Sequence, residues 1–209
     1  MSDSGKIGQA RLAVADFIDV VMPRNQPDQR VFQVGMVMFQ NQPELLAPLS
    51  FDRNAVLNQI PKLEPAGGTN IADALELGMT EVLGPAHRPD AKPIIVLLTD
   101  GVPFNNTRML TVDVADRVRD AGITVYAIGL GQDVDPNLLR LVARRPELYF
   151  FAPSASELAA VFTGIAKRIS ASVLLKTVTI TDHLPKNMAY IEGSADPAAV
   201  WDTTARTLT

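Results

Sequence analysis

Short apolar runs that alternate with helical segments are the feature of this sequence that most limits its fold. The segment Ile94-Ile-Val-Leu-Leu98 is apolar throughout and 123–128 is mostly apolar, as parallel strands covered on both faces are. Amphipathic helical segments and short connections separate these runs. The pattern predicts an α/β fold, a doubly wound and mostly parallel sheet with helices on both faces.

The composition changes after residue 170, which predicts a second, smaller domain. Residues 173–181 alternate in period two and are rich in β-branched side chains, as strands are. Further strands are predicted at 188–191 and 206–209, with a turn at 182–185. We therefore expect a domain at 1–170, followed at 171–209 by a β-sandwich domain that is incomplete.

Within residues 1–170, hydrophobic periodicity and capping residues give the element boundaries. Strands are predicted at 31–39, 44–49, 94–99, 123–128 and 148–151. Helices are predicted at 6–21, 52–60, 70–83, 111–121, 135–143 and 156–170.

Composition excludes several classes of function. The 209 residues carry a net charge of −4 and no cluster of lysine or arginine, which argues against a nucleic-acid partner. The absence of cysteine excludes disulfides, thiol catalysis and cysteine-ligated zinc. The sequence contains no apolar run long enough for a membrane span, and residues 1–20 do not read as a signal peptide.

Two loops predict a cation site. Gly67-Gly-Thr-Asn70 places the hydroxyl of Thr69 at the start of a helix, and Asp100 directly follows an apolar strand. In open α/β sheets, ligands bind beyond the carboxyl ends of the strands. Hydroxyl and carboxylate oxygens are ligands for hard cations such as Mg²⁺. The alternative is that both segments are ordinary turns.

Four segments match the motifs of a known family in order and spacing: 30–39, 67–75, 94–101 and 123–131. Over about residues 1–170 the chain resembles a bacterial von Willebrand factor type A domain. The resemblance implies a protein-binding or adhesion module with a metal-ion-dependent adhesion site. It implies that Thr69 and Asp100 are metal ligands for Mg²⁺, or for Mn²⁺ or Ca²⁺. An acidic side chain of the protein ligand would complete the coordination.

The resemblance departs from the family at its amino end. An Asp-x-Ser-x-Ser loop after the first strand supplies the other ligands in the family, but here the match begins only at Met1. We therefore expect the first strand, central between 31–39 and 94–99, to lie outside this chain. The site would then be incomplete, with weak or absent metal affinity. The alternative is that Ser2, Asp3 or Ser4 replace the missing ligands.

The carboxyl-terminal segment has a resemblance of its own. Residues 176–194 are similar to the start of the β-sandwich repeats of bacterial surface proteins. This implies a larger exported parent protein that acts outside the cell or at the bacterial cell surface.

No catalytic residue is predicted, and an enzyme is not the expected function. No base, nucleophile or second carboxylate is placed near Asp100 by a motif, and His87 and His183 read as solvated side chains. The Gly129-Leu-Gly131 turn lacks the third glycine of a dinucleotide site. Two alternatives remain: a metal-dependent hydrolase that uses Asp100, and a structural spacer of a surface protein.

Overall fold

The computed structural model describes residues 4–23, 31–64, 67–103 and 107–174, and the short pieces 182–183, 201–202 and 207–208. By its internal contacts the chain divides into two units, residues 1–168 and 169–209. The candidate site lies in the first unit.

The helices and strands of residues 4–174 follow the predicted order. The helices are α1 (Ser4–Val21), α2 (Arg53–Leu57), α3 (Ile71–Val82), α4 (Arg108–Asp120), α5 (Pro136–Ala143) and α6 (Ala155–Leu174). The strands are β1 (Val34–Phe39), β2 (Pro43–Ser50), β3 (Ile94–Thr99), β4 (Thr124–Leu130) and β5 (Tyr149–Ala152). Single turns of 3₁₀ helix lie at Ile60–Lys62 and Pro146–Leu148.

The β-structure of this unit has two parts. Strands β3, β4 and β5 pair in that order and in parallel. Strands β1 and β2 form an antiparallel hairpin. Within the described ranges, no hydrogen-bonded ladder joins β1 to β3. The predicted α/β fold with a parallel sheet is confirmed, although its strands are divided between two sheets.

Helices cover both faces of the parallel sheet. The guanidinium of Arg140, on α5, lies 4.9 Å from the ring centroid of Tyr149. The guanidinium of Arg168, on α6, lies 5.3 Å from the ring centroid of Phe150. Because successive residues of a strand point to opposite faces, α5 and α6 lie on opposite sides of β5.

A second part of the core joins α1 to the β1–β2 hairpin. Phe17 of α1 meets Phe162 of α6 edge to face, with ring centroids 5.7 Å apart. Apolar side chains of α1 and the residue after it, of β1, β2, α2 and α6, and of the first 3₁₀ turn form one buried cluster: Ile18, Val21, Met22, Met36, Ala47, Val56, Ile60 and Ala166. The hairpin is therefore anchored by helices even though no described strand connects it to β3.

Burial differs sharply between the neighbouring strands β3 and β4. Every residue of β4 from Val125 to Leu130 is buried. Leu97 and Thr99 of β3 are also buried, whereas the rest of that strand is only half-buried: Ile94, Ile95, Val96 and Leu98. The prediction that 94–98 is a fully buried strand is therefore wrong, because four of its five side chains are only half-buried.

Polar side chains cap three helix starts. The carboxylate of Asp52 accepts hydrogen bonds from the backbone N–H groups at the start of α2, and Asp135 does the same for α5. The side chain of Asn70 accepts from the backbone N–H of Asp73 and donates to its carboxylate, at 3.2 and 2.7 Å. These bonds satisfy N–H groups that a helix start leaves without partners.

Several boundaries differ from the prediction. Strand β1 begins at Val34, three residues later than predicted, and α4 begins at Arg108, three residues earlier. Helix α6 runs to Leu174, so residues 173–174 are helical and the predicted start of a strand at 173 is wrong. A helix already formed extends at little cost, which outweighs the β-branched pattern there. Residues 175–181 and 188–191 lie outside the described residues.

Short strands occur in the second unit. They are β6 (Asp182–His183), β7 (Trp201–Asp202) and β8 (Thr207–Leu208), and β8 pairs antiparallel with both others. The predicted turn at 182–185 is therefore wrong for its first two residues. The predicted strand at 206–209 is confirmed for Thr207–Leu208.

Candidate functional site

The glycine turn before α3 presents Thr69. Gly67 has φ of +67°, in the left-handed region that glycine adopts without strain. The backbone N–H of Gly68 donates to the side-chain oxygen of Asn41 at 2.9 Å. The side chain of Asn70 is used as the helix cap. The hydroxyl of this turn belongs to Thr69, which is half-buried.

The loop after β3 presents Asp100. Thr99, the last residue of the strand, is buried, and its hydroxyl accepts from the backbone N–H of Gly101 at 3.3 Å. This bond tightens the turn around Asp100, whose side chain is half-buried. The carboxylate therefore stands at the carboxyl end of β3, where α/β sheets bind ligands.

The two loops meet. A methyl group placed on Gly101 would lie only 2.8 Å from the hydroxyl oxygen of Thr69. The structure thus brings the Thr69 hydroxyl next to the loop that carries Asp100, as the sequence predicts. Their role as metal ligands stays a prediction.

The residue types at this place suit a hard cation in part. A hydroxyl and a carboxylate are oxygen donors, but Mg²⁺ demands about six ligands in near-octahedral geometry. Over the described ranges, no group of three or more His, Cys, Asp or Glu side chains is placed to hold a metal. Ser2 and Asp3 lie outside those ranges, and Ser4 is the first residue of α1. Thr69 and Asp100 therefore fit as two members of a larger ligand set.

Sequence reasoning missed a third participant, the tip of the β1–β2 hairpin. The backbone N–H of Asn70 donates to the carbonyl of Gln40 at 2.9 Å, and the side-chain amide of Asn70 donates to the carbonyl of Asn41 at 3.1 Å. The polar segment Gln40-Asn-Gln42 at the carboxyl end of β1 was the available signal, since strand ends build such sites.

Exposed apolar side chains follow Asp100 along the chain. Val102 is 55% exposed, and Met109 and Leu110 in the first turn of α4 are 71% and 45% exposed. Residues 104–106, between these positions, lie outside the described part of the chain.

Gly101→Ala is expected to turn the Thr69 side chain away from Asp100. A Cβ at 2.8 Å from the hydroxyl oxygen is closer than such atoms approach, and rotation of Thr69 about χ1 relieves the clash at a cost of about 1 kcal/mol. The Thr69 side-chain rotamer, measured by NMR couplings, should change while the melting temperature falls by only a few degrees. An unchanged rotamer would contradict the close approach of the two loops.

Comparisons with known proteins bear on the family of this chain. The family model described as "von Willebrand factor type A domain" matches residues 2–164, which is most of the chain. The chain belongs to the von Willebrand factor type A domain family. Domains of this family bind protein ligands and act in adhesion, and the family is known for metal-ion-dependent adhesion sites.

Relatives by sequence are proteins of the extracellular matrix. Over 123 residues the chain is 31% identical to matrilin-1 of the mouse, a match that covers 55% of this chain and 24% of matrilin-1. Over 120 residues it is 31% identical to the human collagen alpha-1(XXI) chain, covering 56% of this chain and 12% of the collagen. The chain therefore spans less than a quarter of the length of these relatives.

Solved structures share the fold. The von Willebrand factor domain of the type V pilus tip protein Mfa5 from Porphyromonas gingivalis superposes with a TM-score of 0.71 at 14% identity, covering 83% of this chain and 91% of that chain. Proximal thread matrix protein 1 from the mussel byssus, in a structure with a zinc-occupied MIDAS motif, gives a TM-score of 0.67 at 22% identity, covering 78% of this chain and 43% of that chain.

Both vertebrate and bacterial proteins are similar to this chain. The relatives by sequence are vertebrate matrix proteins, and bacterial surface proteins occur among the structural neighbours. A bacterial source for this chain stays a prediction, as does the surface-protein repeat at its carboxyl end. No helix in the described part of the chain is long and apolar enough to cross a bilayer.

Proposed function

We propose that this chain is a non-enzymatic protein-binding module whose von Willebrand factor type A domain binds its ligand through a divalent cation held in part by Thr69 and Asp100. The observation that carries the proposal is the approach of the Thr69 hydroxyl to within 2.8 Å of a methyl position on Gly101. We propose Mg²⁺ as the cation, as the family resemblance implies, with Mn²⁺ or Ca²⁺ as substitutes; hydroxyl and carboxylate oxygens are ligands for all three.

We further propose that the site is incomplete without one more strand between β1 and β3. Two observations support this: no described ladder joins these strands, and the apolar side chains of β3 remain half-buried. Helix α3 contacts β1, β2 and β3, so it holds the two sheets on either side of the gap. A strand placed there would end at the same edge as Asp100 and could supply the remaining oxygen ligands. For residues 1–209 alone, we propose weak metal affinity.

The proposed partner is a protein that presents an acidic side chain to the cation. A carboxylate of the partner would complete the coordination, since hard cations take oxygen ligands. The exposed side chains of Val102, Met109 and Leu110 offer apolar contact area for the rest of the partner's surface, as interface cores require. We propose that the parent protein is large and acts outside the cell or at a bacterial cell surface.

The test uses Mn²⁺ as a paramagnetic probe, because relaxation of amide resonances reports even millimolar binding. Resonances of Thr69 and Gly101 should broaden on titration of the 209-residue chain. Asp100→Ala should remove this broadening by taking away one charged ligand. Asp113→Ala, an exposed acid on α4, is the matched control and should behave as the unaltered chain.

Two results would count against the proposal. Equal broadening in the Asp100→Ala variant would place the cation elsewhere. Turnover of a phosphoester or ester, abolished by Asp100→Ala, would instead favour a metal-dependent hydrolase.

A further inference from the structure

We infer that Asn41 is a positioning residue that fixes the Thr69 hydroxyl relative to Asp100, an inference that rests on the proposed metal site. Asn41 contacts the chain on both sides of Thr69. Its side-chain oxygen accepts from the backbone N–H of Gly68 at 2.9 Å, and its backbone carbonyl accepts from the side-chain amide of Asn70 at 3.1 Å. One residue of the hairpin therefore holds both neighbours of the candidate ligand.

The side chain of Asn41 also fills the inside of the glycine turn. Its amide nitrogen lies 3.1 Å from the position that a Cβ on Gly67 would occupy. Two consecutive glycines have the widest backbone freedom of any pair of residues. Without the bond from Gly68 to Asn41, the segment before Thr69 would have many accessible conformations, and the hydroxyl would lose its fixed place.

Gln40 forms hydrogen bonds at both ends of the same loop. Its side-chain amide donates to the carbonyl of Glu64 at 3.3 Å, and its backbone carbonyl accepts from the N–H of Asn70 at 2.9 Å. The hairpin tip thus holds the loop at its beginning and at its end, and Asn41 holds its middle. Residues that orient a metal ligand in this way typically change metal affinity by 10–100-fold when they are removed.

The position of Thr69 depends on these hydrogen bonds, and on its other side the residue lies against the loop that carries Asp100. Gly101 stands close to the hydroxyl across the gap between the loops, so a shift of Thr69 changes its distance from Asp100 directly. The β1–β2 hairpin, which shares no described ladder with β3, therefore influences the site through Asn41.

The experiment compares Asn41→Ala, Asn41→Asp and Gln42→Ala in the 209-residue chain. Asn41→Asp keeps the oxygen that accepts from Gly68, and Gln42 is an exposed neighbour in the same hairpin that serves as the matched control. Three quantities are measured: hydrogen exchange of the Gly68 amide, the nuclear Overhauser contact between Thr69 and Gly101, and Mn²⁺ affinity from amide relaxation.

Asn41→Ala should speed exchange of the Gly68 amide about tenfold or more, weaken the Thr69–Gly101 contact and lower Mn²⁺ affinity about tenfold, with a melting temperature within a few degrees of the unaltered chain. Asn41→Asp should restore slow exchange, and Gln42→Ala should change none of the three quantities.

Two results would overturn the inference. One is an unchanged Thr69–Gly101 contact in Asn41→Ala. The other is faster Gly68 exchange with Mn²⁺ affinity retained. If the unaltered chain shows no Mn²⁺ broadening at Thr69 or Gly101, the proposed metal site fails separately, and the Thr69–Gly101 contact alone decides whether Asn41 positions Thr69.

Discussion

Ile128→Ala is expected to lower the free energy of unfolding by about 3–5 kcal/mol. Ile128 lies in β4, between Leu98 of β3 and Phe150 of β5, and is fully buried. Removing three side-chain carbons there leaves a cavity that the strands on either side cannot close. Urea unfolding followed by circular dichroism measures the loss.

Ile95→Ala on the neighbouring strand is the matched comparison. Its side chain packs against Gly78 of α3, 3.3 Å from the position of a Cβ on that glycine, but it is only half-buried. We expect a loss of about 1–2 kcal/mol, because less apolar area returns to water. Equal losses for both variants would mean that β3 is covered as fully as β4, which would contradict the half-burial of its side chains.

The second large effect concerns the strand proposed between β1 and β3. Extending the chain ahead of α1 with a six-residue apolar strand that ends in an Asp-x-Ser-x-Ser loop is expected to raise Mg²⁺ affinity about 100-fold or more, as three oxygen ligands join Thr69 and Asp100. The strand should also stabilise the fold by at least about 3 kcal/mol, because it buries the exposed parts of β3 and β1. Calorimetry with Mg²⁺ and urea unfolding measure the two effects.

Two control extensions separate the strand from the ligands. Alanine in place of the aspartate and both serines should keep the gain in stability and lose the gain in affinity. Serine in place of the apolar strand residues should lose both. A full extension that leaves stability unchanged would show that the strand does not enter between β1 and β3, and the proposal of an incomplete sheet would then fail.

Much of the fold could be predicted because its signals are local. Apolar runs predicted the strands, and Asp52 and Asn70 marked helix starts through their own side-chain chemistry. Boundaries were harder where two local preferences compete, as at residues 173–174, where a β-branched pattern follows a helix that continues. The half-burial of β3 could not be read from the composition of 94–98, because burial depends on which strands lie beside it.

The candidate site likewise has parts that local signals predict and parts that depend on non-local contacts. Thr69 and Asp100 were predictable, since each stands at a fixed offset from a glycine turn or a strand end, and the structure brings their loops together. Asn41 was not predictable, because its bond to Gly68 joins positions 27 residues apart and depends on how the hairpin meets α3. Non-local contacts between polar side chains and backbone leave no periodic pattern in a sequence.

The edge of β3 opposite β4 has a consequence for solubility. Among the described residues only β4 pairs with β3, so the other edge, beside half-buried isoleucine and valine side chains, is a template on which another copy of the same segment can pair. Residues 94–98 are apolar, β-branched over 94–96 and free of charge and proline, the composition that favours such stacking. Recovery of folded monomer from denaturant should therefore depend on protein concentration, since folding of single chains competes with pairing between them.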